Sequence, residues 1–377
     1  MKLLHLSDLH IGKRLNEYTL TEDQQHILGE IIQIIDNKKP HGIIIAGDIY
    51  DKTTPSAEAI QLFDNFLVEL SERNLKVYTI SGNHDSPERI AFASRIINKT
   101  GIHLSPVYDG IIEPITENDQ YGKINIYMLP FIKPIHVRKY HPDADIVTYT
   151  DAIKTTIDNM KIDTSERNIL ITHQFITGAK RSESEDISVG GTDNVDGTIL
   201  EPFDYVALGH LHKAQSVGKE TIRYCGTPLK YSFSEAADSK TITIVDIKEK
   251  GTINIETIPL TPKRDMREIR GAYIDITSKK YYQNTNTDDY IHITLTDEDD
   301  ILDALGKLRT IYPNIMKLDY DNQRTRAQSN IPNSPSIANK KPIELFSDFY
   351  QIQNNQEMTK EQYDYITNII EEISEAK

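Results

Sequence analysis

The chain has 377 residues, with 42 Lys or Arg against 57 Asp or Glu, and its formal charge is -15. This acidic balance excludes a protein that wraps nucleic acid by its own charge, so a DNA substrate would need local basic loops or a basic partner. A lone cysteine, Cys225, excludes a disulfide within the chain, and no window approaches about 18 uninterrupted apolar residues, so we expect a cytoplasmic protein without membrane spans.

The first two-thirds of the chain alternates strand-like and helix-like runs. The predicted strands are residues 2–6, 42–46, 76–81, 125–129, 168–172, 204–208, 221–225 and 241–247. The early β-α-β units predict a largely parallel sheet, and the later helix-poor strands predict a second sheet packed against it.

Two amphipathic helices are predicted between the early strands. Thr21 and Gln24 resemble a capping box at the start of the first helix. Its apolar residues recur at helical spacing, at Ile27, Ile31, Ile34 and Ile35. Pro55 suits the start of the second helix. The predicted buried face of that helix consists of Ile60, Phe63, Leu67 and Leu70.

The pattern changes at about residue 264. Predicted strands at 273–276, 290–295 and 317–319, with a helix at 300–309, indicate a small α+β domain over residues 264–320. Residues 321–341 are rich in Asn, Ser, Arg and Pro and are predicted to be a linker. Residues 342–377 regain helical periodicity, with a second capping box at Thr359 and Gln362. These helices either pack on their own domain or dock on the helices of a partner.

Polar residues follow five of the apolar runs in residues 1–263. An α/β fold that aligns the strand ends would gather these side chains into one pocket, as in a two-metal site. The clusters are Asp8-x-His10, Gly47-Asp48-x-x-Asp51, Gly82-Asn83-His84-Asp85, His173 and Gly209-His210-x-His212. The predicted metal ligands among them are Asp8, His10, Asp48, Asn83, His173, His210 and His212. This pattern predicts hydrolysis of a phosphate ester.

The residue types predict which side chains bind metal and which act on the substrate. Asp48 is the candidate to bridge two cations, because each carboxylate oxygen can serve one metal. Imidazole together with carboxylate favours Mn, Fe or Zn over Ca. His84 is not needed as a ligand and could stabilise or protonate the leaving oxygen. Asp51 is placed to orient His84 and to favour its imidazolium form.

Each cluster alone is weak, because Asp-x-His, Gly-Asn-His-Asp and Gly-His-x-His also occur in ordinary turns and bulges. The five clusters in this order, each after a strand-like run, form a specific pattern. The ordered set resembles the calcineurin-like metallophosphoesterase superfamily. Within it, residues 5–13, 47–51 and 224–235 are similar to the nuclease subunits of bacterial SbcCD-type complexes.

The resemblance implies an α/β fold, a two-sheet β-sandwich flanked by helices, with a small α+β capping domain and C-terminal helices. It also implies two divalent ions, with Mn²⁺ expected. The first ion would take Asp8, His10, Asp48 and His212. The second would take Asp48, Asn83, His173 and His210. His84 would be the catalytic histidine that binds no metal, supported by Asp51.

The implied activity is that of an ATP-dependent 3′-5′ double-strand exonuclease and a single-strand or hairpin endonuclease. Such an enzyme acts in DNA recombination, replication and repair. The C-terminal helices would dock on an SbcC-type ATPase, and the chain would form a homodimer within a heterotetramer. Candidate DNA contacts are Lys13, Arg14, Lys180 and Arg181. The polar loop 178–191 has the composition of a mobile element beside the site.

Two other functions fit part of the pattern. A phosphatase or cyclic-nucleotide phosphodiesterase of the same superfamily would use the same ligands, but a capping domain and partner-seeking helices are surplus for a small substrate. A non-catalytic scaffold would keep the fold to bind a partner. It has no physical need for His84 and Asp51 beside the metals.

Overall fold

The computed structural model describes residues 1–181, 193–329, 342–354 and 356–375. The chain divides into two compact units, Met1–Asp265 and Met266–Lys377. Residues 182–191 of the predicted mobile loop and residues 330–341 of the predicted linker lie outside the described residues. None of the described helices is long and apolar enough to cross a membrane.

The first unit is built mainly from strands. In chain order they are β1 Lys2–Leu6, β2 Arg14–Leu15, β3 Tyr18–Thr19, β4 Gly42–Ala46, β5 Lys76–Ile80, β6 Ile102–Leu104, β7 Ile115–Asp119, β8 Gly122–Leu129, β9 Arg167–Thr172, β10 Phe175–Ile176, β11 Asn194–Val195, β12 Tyr205–Leu208, β13 Gln215–Val217, β14 Lys219–Tyr224, β15 Thr241–Ile247 and β16 Ile253–Pro259.

Most of these strands form two six-stranded sheets. The order in the first sheet is β16-β15-β1-β4-β5-β6, and β1, β4, β5 and β6 run parallel. The order in the second sheet is β13-β14-β12-β9-β8-β7, and β8, β9, β12 and β14 run parallel. Antiparallel strands lie at one edge of the first sheet and at both edges of the second. The parallel strands of the first sheet confirm the expected parallel core, and the expected second sheet is also present.

The apolar core lies between the two sheets. Ile44 and Tyr78 of the first sheet pack in one cluster with Ile126, Ile169 and Tyr205 of the second. All five side chains are buried, which removes apolar surface from water and holds the sheets face to face. The predicted two-sheet sandwich is therefore confirmed.

The helices of the first unit cover the outer faces. They are α1 Thr21–Lys38, α2 Ala57–Glu72, α3 Pro87–Ile90, α4 Ser94–Ile97, α5 Pro134–Arg138 and α6 Tyr149–Asn159. The outer face of the second sheet packs on α5 and α6 through a separate cluster that includes Leu129, Val137 and Ile153.

Both predicted helix starts need correction. Helix α1 begins at Thr21, but its N-cap is Leu20, whose apolar side chain cannot make a cap bond, and Gln24 bonds to the His10 carbonyl instead of to the helix start. Helix α2 begins after Ser56, whose side chain accepts from the Ala59 amide at 3.3 Å. Ile60, predicted to be buried, is 47% exposed. The buried face of α2 instead consists of Ala59, Phe63, Phe66 and Leu70.

The second unit contains a three-stranded parallel sheet, in the order β17 Met266–Gly271, β18 Tyr290–Leu295 and β19 Ile315–Tyr320. Its helices are α7 Tyr273–Ile276, α8 Lys279–Tyr282, α9 Ala304–Arg309, α10 Gln323–Ser329, α11 Pro342–Asn354 and α12 Lys360–Glu375. A core of apolar residues from this sheet and from α7 and α9 holds the unit together. Helices connect the three parallel strands, which is a β-α-β arrangement, whereas an α+β domain was expected from the sequence.

Three predictions in the second unit were wrong in detail. Residues 273–276 form helix α7 rather than a strand, because Ile276 is buried in the local core and Asp297 accepts from the Tyr273 amide at 2.8 Å. Helix α9 begins at residue 304, after the Asp303 cap, rather than at 300. Helix α10 lies in the stretch predicted as a linker.

The second capping box is present as predicted. The Gln362 amide donates to Thr359 Oγ1 at 3.3 Å, and the Thr359 amide donates to Gln362 Oε1 at 2.9 Å. These reciprocal bonds satisfy amides at the start of α12 that have no partner within the helix.

Candidate metal centre

The polar clusters lie at the carboxyl ends of strands from both sheets. Asp8 follows β1, Asp48 follows β4, and Asn83 follows β5 in the first sheet. His173 follows β9 and His210 follows β12 in the second. Because the sheets face each other, these ends meet at one edge of the sandwich. We call the seven predicted ligands that meet there the metal centre.

The backbone at the metal centre is held in an unusual conformation. Asp8, His10, Asp48 and His210 have φ angles of 53°, 43°, 49° and 100°. Residues other than glycine rarely adopt such angles, and those that do cluster at functional sites. The Asp8 amide donates to the Gly47 carbonyl and the His10 amide to the Asp48 carbonyl, each at 3.0 Å. The strand therefore breaks at Asp8, which turns both Asp8 and His10 into the cleft.

Two glycines make the close approach possible. A Cβ atom at Gly82 would lie 2.1 Å from Asp48 Oδ1. One at Gly209 would lie 1.9 Å from the Ala46 carbonyl oxygen. Neither distance is compatible with van der Waals contact, so only glycine fits at these two positions.

One half of the metal centre is grouped around Asn83 and His173. His173 Nε2 lies 3.2 Å from Asp48 Oδ2 and 3.0 Å from Asn83 Oδ1. His210 Nδ1 also lies 3.0 Å from Asn83 Oδ1. His173 Nδ1 donates to the Ala46 carbonyl at 2.8 Å, which directs Nε2 toward the centre.

The other half is grouped around His10 and His212. Their Nε2 atoms face each other at 3.2 Å, and Asp8 offers an oxygen within 4.8 Å of both. His10 Nε2 lies 3.8 Å from Asp48 Oδ2, the same oxygen that His173 approaches. Asp48 therefore lies between the two halves, where the sequence analysis expects a bridging carboxylate.

The donor set fits divalent cations. Asp8, Asp48, His10, His173 and His212 are almost fully buried. Facing nitrogens and carboxylate oxygens at such short range are arranged as ligands of shared ions, and imidazole with carboxylate suits Mn, Fe or Zn. Buried charges of this kind are stable when they are paired or when they coordinate metal.

The charges of the buried groups depend on one another. Burial raises the pKa of Asp8 to about 6. Burial alone would lower the pKa of His173, but the negative charge of Asp48 outweighs it and raises that pKa to about 9. Burial lowers the pKa of His210 to about 3, so that this ring is neutral at pH 7 and has a lone pair available for a metal.

His212 is held from behind by a buried ion pair that the sequence analysis missed. Its Nδ1 donates to Glu235 Oε1 at 3.4 Å, which turns Nε2 toward His10. Lys240 Nζ donates both to Glu235 Oε2 and, at 2.9 Å, to the His212 carbonyl. Burial opposes ionisation of Glu235, but the His212 bond and the Lys240 charge outweigh it and lower its pKa to about 2.

The loop that carries His10 is held by Gln24 and Tyr231. Gln24 Nε2 donates to the His10 carbonyl at 2.7 Å, and Gln24 Oε1 accepts from the Gly12 amide at 2.9 Å. The Tyr231 hydroxyl donates to the Leu9 carbonyl. The sequence gives only an indirect signal for these two residues. Gln24 fits the pattern of a helix cap, and Tyr231 lies in the stretch 224–235 that carries the resemblance.

Asp85 joins two of the loops that carry predicted ligands. Its carboxylate accepts from the Gly82 amide at 2.9 Å and from the Ile49 and Tyr50 amides at 3.1 and 3.0 Å. The residue is buried, and these three bonds fix the loop after β5 against the loop after β4. The sequence analysis quoted Asp85 within its cluster but gave it no role.

His84 lies beside the metal centre and is partly exposed. Its ring is 4.9 Å from the His10 ring, and its amide donates to Asp48 Oδ1 at 2.8 Å. His84 Nδ1 donates to the main-chain carbonyl of Asp51 at 3.1 Å, and His84, His10 and Asp48 each offer a ligand atom within 4.8 Å of the other two. The Asp51 carboxylate pairs with Lys13 Nζ at 2.7 Å. The expected support from Asp51 thus includes a contact through its backbone, rather than through its side chain alone.

The four candidate DNA contacts lie on two loops near the centre. Lys13 pairs with Asp51, and Arg14 is exposed. Lys180 is exposed, whereas Arg181 packs 3.7 Å above the Phe175 ring and pairs with Asp193 at 2.7 Å. Their contact with DNA stays a prediction.

Three comparisons with known proteins bear on this site. Residues 1–214 match the family model described as calcineurin-like phosphoesterase, and residues 262–354 match the model described as type 5 capsule protein repressor C-terminal domain. Over 377 residues, the chain is 34% identical to SbcD, the D chain of the SbcCD nuclease, of Staphylococcus epidermidis, and the match covers 98% of each chain.

Two solved structures share a distant similarity. A dimetal phosphatase from Danio rerio is 9% identical, with a TM-score of 0.41 over 70% of this chain and 98% of the other. A protein from Thermus thermophilus is 10% identical, with a TM-score of 0.37 over 68% of this chain and 98% of the other.

Proposed function

Because the chain belongs to the calcineurin-like phosphoesterase family and, within it, to the SbcD family of nucleases, we propose that it is the nuclease subunit of an SbcCD-type complex. The observation that carries the proposal is the convergence of seven buried or half-buried donors at one edge of the sandwich, with the partly exposed His84 beside them.

The proposed reaction is hydrolysis of a phosphodiester in DNA. Asp8, His10, Asp48 and His212 would hold one divalent cation, and Asp48, Asn83, His173 and His210 the other, with Mn²⁺ proposed for both. When bound, such a pair supplies Lewis-acid activation of the phosphate and of the attacking water.

His84 completes the reaction in this proposal. Its Nδ1 hydrogen is held by the Asp51 carbonyl, so Nε2 is the ring nitrogen proposed to act on the substrate. From there it would give a proton to the oxygen that leaves phosphorus. The water would lose one proton to solvent and its oxygen would join phosphorus, while the bond from phosphorus to the leaving oxygen breaks. The departing strand would take the proton from His84, which regains one from solvent.

The first proposed substrate is the end of double-stranded DNA, which the complex would degrade in the 3′-5′ direction while the partner uses ATP. The second is single-stranded or hairpin DNA, which the chain would cut endonucleolytically. Recombination, replication and repair of DNA are the processes that such an activity serves, in the cytoplasm. Lys13, Arg14, Lys180 and Arg181 are proposed to contact phosphates, and the acidic balance of the chain leaves much of the DNA grip to the partner.

The proposed division of labour follows the chain. Residues 1–263 form the nuclease domain and 264–320 the capping domain, while 342–377 dock on an SbcC-type ATPase. Apolar side chains on the terminal helices support the docking, since Phe349 is 58% and Tyr365 67% exposed. A homodimer within a heterotetramer is proposed, and apolar side chains beside the catalytic loops support it, with Phe92 79% and Ile96 73% exposed.

The experiment that tests this function is a cleavage assay on hairpin-ended and blunt-ended DNA duplexes with Mn²⁺, with and without an SbcC-type ATPase. We expect the chain to cut the hairpin in the presence of Mn²⁺, and the complex to degrade the blunt duplex when ATP is added. Ca²⁺ in place of Mn²⁺ is the control and should not support cleavage.

The same assay separates the proposal from its rivals. A chain that hydrolyses bis(p-nitrophenyl) phosphate with Mn²⁺ but cuts no DNA, alone or with the ATPase, would be a phosphatase or small-substrate phosphodiesterase. A chain that hydrolyses neither substrate would be a scaffold.

A further inference from the structure

A cavity of about 290 Å³ is lined in part by Phe131, whose ring contacts that of the predicted ligand His173. The residues that line it and matter here are Glu88, Tyr108, Phe131, His136, Lys139 and Tyr140. Most of these follow β6 or β8, and none is among the seven predicted ligands or their supports. We call this cavity the base pocket.

Two contacts join the wall of the base pocket to the segment that carries His173. The Phe131 ring meets the His173 ring edge to face, with centroids 6.3 Å apart. Gln174, the residue after His173, donates from Nε2 to the Ile132 carbonyl at 3.1 Å. Glu88 lies at the start of α3, a few residues beyond Asn83 and His84. A phosphate at the metal centre therefore has the pocket within reach of its neighbouring nucleotide.

The walls of the pocket are aromatic and rigid. Tyr108 is 6% exposed, and its hydroxyl contacts Thr156 Oγ1 at 3.2 Å, which fixes the ring. Tyr140 meets that ring at right angles, with centroids 5.8 Å apart, and is 39% exposed. Unlike Tyr108, Tyr140 is therefore partly open to solvent. Aromatic rings of this kind bind unpaired nucleobases by stacking, with little regard to sequence.

The polar groups at the pocket suit a base better than a phosphate. Lys139 Nζ lies over the Tyr140 ring, 5.1 Å from its centre, so this flexible side chain must move aside for a base to stack on that face. His136 Nδ1 accepts from the Lys133 amide at 3.2 Å, so the neutral ring has its hydrogen on Nε2 as a donor. Glu88 supplies a carboxylate, which repels phosphate but accepts from the amino groups of adenine, cytosine or guanine.

We propose that the base pocket holds one unpaired nucleobase of the strand being cut, on the nucleotide next to the scissile phosphate. The proposal deepens the proposed function and rests on it. Occupation of the pocket requires that the base leave its stack and its pairing partner, which is least costly in hairpin loops, single strands and frayed ends. The structure thus selects locally unpaired DNA at the cut.

The test uses single-stranded DNA with one abasic nucleotide, placed in turn at each position around a mapped cut, together with Mn²⁺. We expect one position beside the cut at which loss of the base slows cleavage by the parent chain on the order of tenfold, the usual effect of losing one base stack. At other positions the abasic nucleotide should change the rate little.

Three variants complete the design. Tyr140→Ala should slow cleavage of intact DNA on the order of tenfold. In this variant, intact DNA and DNA with the abasic nucleotide at the sensitive position should be cut at nearly the same rate. Tyr140→Phe should behave as the parent, because the ring remains. Tyr121→Ala is the matched control, since Tyr121 is equally exposed at 40% and does not line the pocket. Thermal unfolding and bound Mn²⁺ should be as in the parent for all three.

The outcomes distinguish failure of the base pocket from failure of the proposed function. If the parent cuts DNA but no abasic position matters, or if Tyr140→Ala keeps the full abasic effect, the base pocket is refuted while the nuclease stands. If the parent cuts no DNA at all, the proposed function fails and the pocket assignment fails with it.

Discussion

Four of the predicted ligands hold a left-handed backbone, at a cost of about 1–3 kcal/mol each. The turn at Asp8 was expected from the sequence, because Asp8 and His10 can face the same cleft only if the strand has already ended in a turn. Hydrogen bonds from these loops to the Gly47 and Asp48 carbonyls offset the cost. Strain that persists at the ligands themselves indicates that their positions serve chemistry rather than stability.

The buried pair behind His212 leads to a prediction at the same scale. Glu235→Gln should weaken Mn²⁺ binding by roughly 10–100-fold, because the partner that orients His212 loses its charge. It should also lower the free energy of unfolding by about 3–5 kcal/mol, since Lys240 is left buried without an opposite charge. Isothermal titration with Mn²⁺ and urea unfolding measure the two effects.

Glu256→Gln is the control for this variant. Glu256 pairs with Lys38 on the surface, and such a pair contributes about 0–1 kcal/mol. Equal losses of stability in the two variants would mean that the Glu235 pair supports neither His212 nor the fold in the way described.

At the scale of elements, the strands were easier to predict than the helix ends. The strands β1, β4 and β15 match their predicted bounds because buried parallel or central strands form continuous apolar runs flanked by polar turns. The starts of α1 and α2 were misjudged because capping depends on where a side chain turns, and Gln24 turns away from its own helix. Residues 273–276 were misjudged because burial of Ile276 overrides local strand propensity.

The candidate site was predictable to the extent that its residues come in local clusters. The seven donors each follow a strand, so the pattern of apolar runs and polar turns reveals them. Gln24, Glu235 and Lys240 follow no such rule, because they do not follow the strands that carry the ligands and lie 14 to 28 residues from the ligands that they contact. Their side chains meet those ligands only through the folded paths of the connecting segments, which the pattern of apolar runs does not predict.

The close contact between the loops after β4 and β5 gives a prediction for these elements. Gly82→Ala should reduce Mn²⁺ binding and cleavage by at least tenfold, because the added Cβ would collide with Asp48 Oδ1. Gly29→Ala is the matched control. Gly29 lies in α1 with nothing within 4 Å of its added Cβ, so the change should stabilise the chain by about 0.5–1 kcal/mol and leave activity intact.

Both substitutions are compared by thermal unfolding and by cleavage of a hairpin with Mn²⁺. Full activity of Gly82→Ala would show that the loop can move away from Asp48 without loss, contrary to the tight packing described.

At the scale of the whole molecule, the acidic balance of the chain and the exposed apolar side chains of its terminal helices support the proposed partner. We predict that deletion of residues 342–377 spares Mn²⁺-dependent hydrolysis of bis(p-nitrophenyl) phosphate but removes association with an SbcC-type ATPase. The physical reason is that α11 and α12 contribute no predicted ligand, whereas they expose Leu345, Phe346 and Phe349. Co-purification measures the association.

A point substitution sharpens the same prediction. Phe349→Asp places a charge on the exposed apolar face and should abolish co-purification, whereas Gln351→Asp, on the opposite side of the same helix, should not. A truncated chain that still co-purified with the ATPase would contradict the docking assignment.

The central claim is that the site separates metal binding from proton transfer, and paired substitutions at Asp48 and His84 test it most directly. Bound Mn²⁺ and the rate of hairpin cleavage are measured in the parent, in His84→Gln and in Asp48→Ala. We predict that His84→Gln keeps nearly all of the bound Mn²⁺ but cuts about 10²–10⁴-fold more slowly, whereas Asp48→Ala loses both. Cleavage by His84→Gln at the parent rate would contradict the account.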